Sequence, residues 1–177
     1  MRKALFFLGI MNDDDLEWMI TNGRREEVPA QTTLIQQGTP LEAMYIVLDG
    51  AFAVWAAGKE VARLLSGEVL GEISFVDSRP PSATVQAVED AHVLAISRRV
   101  LGRRLEQNAE FAARFYRSLA VFLADRLRST TSRLGYGQGG ALHTEAEYAD
   151  ELDPVVLDTV SLAGARFDML RRRLRGA

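Results

Sequence analysis

Residues 71–85, GEISFVDSRPPSATV, hold the densest set of groups able to handle a ligand. Gly71 lets a bound molecule approach the backbone closely, and Glu72 beside it supplies a charged acceptor. Ile73 lies in the short apolar helical turn that follows, and Arg79 brings a permanent positive charge. Ser82 and Ala83 then offer a hydroxyl and open backbone donors before Thr84 and Val85 begin a strand. The chemistry implied is the cradling of a small anion. Against it stands Pro81, which has neither charge nor N–H.

Such a loop needs a scaffold, and 177 residues suffice for one domain with a core plus an appendage. From Arg24 to about Ser97 the pattern is of short strands: EEVPA, TTLIQQG, AMYIVLDG, AFAVWAAG, KEVARLL, ATVQAVED and AHVLAIS. Glycines at 38, 50, 58 and 67 punctuate them, and the DG at 49–50 and GK at 58–59 read as tight turns. This spacing predicts an antiparallel β jelly roll, a double-stranded β-helix, over about 24–97. The fold class is mainly β, with an N-terminal helix and C-terminal helices flanking the roll.

The start, MRKALFFLGI, has a basic end and an apolar run but no small-residue cleavage site. Residues 4–10 are therefore expected as an apolar lead-in packed on the domain. Asn12 or Asp13 caps a helix over about 12–22, its carboxylates facing the positive end of the dipole, and TNG ends it. No segment approaches the ~20 apolar residues of a membrane span. With no cysteine, and hence no disulfide framework, and no export signal, the cytoplasm is the expected compartment.

Helical periodicity returns at Arg98, with a short helix to Asn108 and a longer one over about 109–134. Phe111, Phe115, Leu119, Leu123 and Leu127 recur every four residues, and Tyr116, Val121 and Phe122 widen the stripe beyond one face. A second surface must cover it: another copy of the chain, giving a homodimer through this helix, or the C-terminal segment. Residues 1–134 thus form one domain, 135–153 a glycine-rich then acidic linker, and 154–177 a last amphipathic helix. Asp153 and Pro154 open that helix as cap and first residue. Val156, Val160, Ala163, Phe167, Leu170 and Leu174 give it a seam for another helix, in this chain or in a protein partner met through 154–175. Its basic end, RRRLRGA, is expected to complement the helix C-terminus and the acidic stretch rather than bind RNA or membrane.

The order of elements and the loop together resemble the cyclic nucleotide-binding domain, as found in catabolite-activator-type regulators, protein kinase regulatory subunits and gated channels. LFFLGIMNDDDLEWM, IQQGTPLEAMYIVLDGAFAV and ARLLSGEVLGEISFVDSRPPSATVQAVEDAHVLAI carry the resemblance, over about residues 5–130. It implies a cassette in which Gly71 and Glu72 meet the ribose, while Ser82 and Ala83 meet the cyclic phosphate of cAMP or cGMP. An arginine belongs at the position Pro81 occupies. Losing that charged hydrogen bond weakens a site by roughly one to two orders of magnitude. Arg79 either compensates from upstream or points to solvent. Glu72 either receives the ribose hydroxyl or accepts from its own loop, and Ser82 either binds ligand or ties down its loop.

Other chemistries find little footing. A jelly-roll metal site needs clustered histidines, and only His92 and His143 exist, far apart in the chain, so no metal is expected. There is no G-x-S-x-G elbow, P-loop or dinucleotide fingerprint. Trp18 and Trp55 are expected in the core or a pocket wall. Net charge is −3, and too little chain follows residue 134 for a winged helix-turn-helix, so DNA is not an expected partner. Two functions remain: a non-enzymatic sensor binding a cyclic nucleotide or another small anion and signalling through helix movement or a partner, or a ligand-free dimerisation module that retains only the fold.

Overall fold

A strand buried on both faces reads as a continuous apolar run, and β8 (Ala91–Ser97) and β3 (Ala43–Asp49) are such strands. In the computed structural model, which describes residues 5–135 and 154–175, they lie adjacent at the centre of one sheet. That sheet runs β1 (Arg24–Val28), β8, β3, β6 (Val69–Leu70), all neighbours antiparallel. The second runs β2 (Thr33–Ile35), β7 (Thr84–Ala87), β4 (Ala51–Ala56), β5 (Lys59–Leu65). The two four-stranded sheets are the antiparallel jelly roll expected, with helices flanking it.

Alternation along the central strands divides the core in two. Val47, Val93 and Ala91 point towards the second sheet and pack with Phe52, Leu64 and Val85. Met44, Ile46, Leu48, Leu94 and Ile96 point the other way, towards the helices.

Two local details differ from the sequence reading. The β4–β5 turn is Ala57-Gly58, both with positive φ (49° and 74°), and Lys59 already pairs with Ala56. The glycine was correctly placed and the turn was one residue off. Trp55 is not in the core; it lies exposed on β4. At the DG turn Gly50 has φ 85°, and a Cβ there would lie 2.8 Å from the Ala91 Cα. Only glycine fits that approach.

Helix α1 (Leu5–Ile10) is the apolar lead-in, coiled into a helix with Phe7 and Leu8 buried. Helix α2 (Asp13–Asn22) opens with a capping box. Asn12 Oδ1 accepts from the Asp15 N–H at 2.8 Å, and the Asn12 N–H donates to Asp15 Oδ2 at 3.0 Å. Arg114 of α5 (Ala109–Gly135) closes on the same buried carboxylate, Nε to Oδ2 at 2.6 Å and Nη2 to Oδ1 at 3.0 Å. One aspartate therefore caps α2 and ties it to α5. Helix α4 (Arg98–Gln107) links β8 to α5.

The last helix, α6 (Pro154–Arg175), lies against α1 and α2 of its own chain. Ala163, Leu170 and Leu174 are buried in its seam and Phe167 is half-buried. The side chains of Val156 and Val160 lie outside the described residues, as does the predicted linker beyond Gly135. Its arginines meet acidic groups of the folded domain. Arg166 bonds Asp13 at 2.9 Å, Arg173 bonds Glu17 at 2.6 Å, and Arg171 reaches Asp49 at 3.5 Å. Tyr116 and Leu127 on the other face of α5 stay exposed.

Candidate functional site

Strand β6 is only two residues long, yet it sets the site. Pairing of Val69 and Leu70 with Ile46 and Tyr45 delivers the chain to Gly71 at a sheet edge. Gly71 turns with φ 80°, and a Cβ there would lie 3.3 Å from the Ala43 carbonyl and 2.3 Å from Leu41 Cδ2. The turn starts α3 (Glu72–Asp77), whose Phe75 ring meets Phe115 of α5 edge-on at 5.7 Å. Arg98 holds α3 from below, Nη1 donating to the Ser74 carbonyl at 2.7 Å while its guanidinium lies over the Phe75 ring.

Beyond α3 the chain is tethered rather than loose. The Arg79 N–H donates to Asp77 Oδ1 at 3.0 Å, and the Pro81 carbonyl accepts from the Gly38 N–H at 2.9 Å. Thr84 Oγ1 accepts from the Gln37 N–H at 3.2 Å. These bonds hold the Pro81–Ala83 segment over the second sheet.

Between that segment, α3 and the sheet lies a cavity of about 260 Å³. Ile35, Val54, Leu64 and Val85 form its apolar floor. Gly71, Glu72, Ile73, Arg79, Pro81, Ser82 and Ala83, the residues singled out from the sequence, all line it. They are not equal in placement. Glu72 is buried at 2% exposure, whereas Ile73, Arg79 and Ser82 are exposed around the rim.

A charged lining residue from outside the cassette was missed. Arg126 of α5 reaches into the cavity, and its Nη1 donates to Glu72 Oε1. Its guanidinium also lies 5.4 Å from the ring of Phe122, one turn earlier. The available signal was a cation four residues after a core phenylalanine, Phe122, on the longest helix of the chain. Neither sequence reading of Glu72 described this partner.

Burial pushes the Glu72 carboxyl up from its ordinary value, against the downward pull of Arg126. The folded protein then holds that proton to higher pH than the unfolded chain does, so the contribution of Glu72 to stability is greatest in acid and declines as pH rises. The decline begins near 4.5, the ordinary carboxyl value, and continues through the raised folded-state value. Glu72→Gln is expected to remove this component of the pH dependence. Urea unfolding of both proteins from about pH 4 to about pH 8 checks it; parallel stability profiles would show that Arg126 cancels the cost.

Among the described residues no group of three or more histidine and carboxylate side chains is placed to hold a metal, and no helix is long and apolar enough to cross a membrane.

Residues 25–108 match the model of the cyclic nucleotide-binding domain. The chain is 30% identical over 127 residues to an uncharacterized NTE family protein of Mycobacterium tuberculosis, covering 71% of this chain and 22% of that protein. It is 30% identical over 129 residues to the cAMP-activated global transcriptional regulator CRP of Escherichia coli O157:H7, covering 70% and 60%. The match thus spans less than two thirds of either relative. Among solved structures, a cyclic nucleotide-binding domain from Methylobacillus flagellatus shares the fold at a TM-score of 0.70, with 20% identity over 80% of this chain and 85% of that one. Sheet topology and these likenesses agree: residues 25–108 form a cyclic nucleotide-binding domain.

Proposed function

We propose that this chain is a non-enzymatic regulatory module that takes a cyclic nucleotide, cAMP or cGMP, into the cavity over Gly71, Glu72 and Ser82. The observation that carries the reading is that the cassette and α5 share one cavity through Glu72 and Arg126. A ligand entering there must disturb a contact made by the long helix, which gives occupancy a mechanical output. The cAMP activation named for the Escherichia coli relative supports the ligand class. Pro81 keeps the affinity low, so titration calorimetry and thermal shift at millimolar cAMP and cGMP are the measurements. Binding heat with a rise in Tm is expected; no heat and no shift with either nucleotide sinks the sensor.

A second reading is a ligand-free dimerisation module. It is favoured by Glu72 already being engaged by Arg126, and by the exposed Tyr116, Ala120 and Leu127 lying on one stripe of α5 at helical spacing. A second copy pairing along that stripe is the partner proposed. A protein partner reached through α6 instead requires that helix to leave α1 and α2.

A further inference from the structure

We infer that Arg25, His92 and Arg171 form a second ligand site, for a phosphate-type oxyanion, between the first sheet and α6. An anion held there fastens α6 to the roll. The site shares no residue with the cassette cavity, and it stands whether or not a cyclic nucleotide enters that cavity.

Strand register brings these groups together. Arg25 of β1 lies opposite Leu94 of β8, and Glu27 opposite His92. Leu94 points towards the helices, so Arg25, Glu27 and His92 share that face of the sheet. Arg171 reaches the same face from α6, and with Leu48 and Asp49 the three basic residues line a pocket of about 90 Å³. That is several times the ~30 Å³ share of a water molecule, enough for one tetrahedral oxyanion.

The charges at this pocket are poorly matched from within. Arg25 is half-buried, and among the described residues its guanidinium has no hydrogen-bond or ion-pair partner. Arg171 meets Asp49 only at 3.5 Å, and that carboxylate is 52% exposed, which makes a weak pair. His92 lies 3.5 Å from Glu27, itself largely in water. Two permanent positive charges therefore face one pocket whose acid is half solvated. An oxyanion between them relieves their repulsion, and each guanidinium fork matches its oxygens. His92 adds an N–H donor in either protonation state. Asp49 keeps a further interaction besides Arg171, so an anion that draws Arg171 off does not strand it. Arg25 and His92 belong to the sheet and Arg171 to α6, so the bound anion bridges the two.

The test is thermal unfolding and hydrogen exchange of the full chain with inorganic phosphate or glycerol phosphate, each against sodium chloride of equal ionic strength. Wild type, Arg25→Gln and Arg171→Gln are compared. In wild type a saturable rise in Tm is expected, with slower exchange of the α6 amides. Each variant is expected to need about 10- to 100-fold more anion for half the effect, the loss of one charged hydrogen bond. Arg25→Gln is the sharper variant: it breaks no side-chain contact among the described residues, so a lost response reports the anion alone. A stronger response to inorganic phosphate assigns a free ion, and a stronger one to glycerol phosphate assigns a phosphomonoester. Phosphate that stabilises all three proteins alike overturns the inference, since it then acts as a general salt or at the cassette. No saturable shift in wild type with either anion overturns it as well. A shift without slower exchange in α6 overturns the bridging role.

Discussion

Phe115→Ala is expected to lower the unfolding free energy by about 3–5 kcal/mol, read as a fall in the urea midpoint with little change in slope. The side chain is fully buried and joins three elements. Its ring meets Phe7 of α1 at 5.7 Å, Phe75 of α3 at 5.7 Å and Phe111 one turn earlier at 6.0 Å. Truncation removes a large apolar area together with these ring contacts, each worth about 0.5–1.5 kcal/mol beyond its area. It leaves a hole that neighbours from separate elements cannot fill by shifting together. Against a total stability of about 5–15 kcal/mol for a domain, the loss is a major fraction. A loss below about 1 kcal/mol would mean that α5 is held to the roll elsewhere, by Asp15 and Arg114 for instance.

Pro81→Arg is expected to raise affinity for cyclic nucleotides by about 10- to 100-fold, the equivalent of one charged hydrogen bond. Position 81 is half-buried and lines the cavity, so a side chain rooted there starts beside the ligand. The bond that anchors the loop uses the Pro81 carbonyl, which arginine retains. Proline has no N–H to forfeit, so the substitution breaks no donor contact. Its cost is the proline's restraint on the unfolded chain, about 0.4–1 kcal/mol. The expected result is thus a small fall in the Tm of the free protein and a larger rise on adding ligand. Calorimetry that finds unchanged affinity in a normally folded variant would place the new guanidinium in solvent.

What could be read beforehand followed the strength of each local signal. The long strands were legible because β-branched and aromatic runs ended in glycines that the backbone requires to be glycines. Strand β6 leaves no local signal: two residues, Val69 and Leu70, carry no period, and only pairing with β3 makes them a strand. The helical state of residues 5–10 was equally hidden, since six residues are too few to nucleate a helix without neighbours. At the site, the cassette residues could be found because they are contiguous in sequence. Arg126 lies 54 residues from Glu72, and no local pattern states which side of α5 will face the cavity.

Helix α1 lies between α5 and α6, with Phe7 against Phe115 on one side and Arg166 donating to the Leu8 and Gly9 carbonyls on the other. A coil of that length has little helical tendency of its own, so its conformation is borrowed from both neighbours. Its amides therefore register the looser of the two supports. Whichever of them withdraws first, the N-terminal segment unravels with it, and hydrogen exchange there reports the weakest joint of the helical layer.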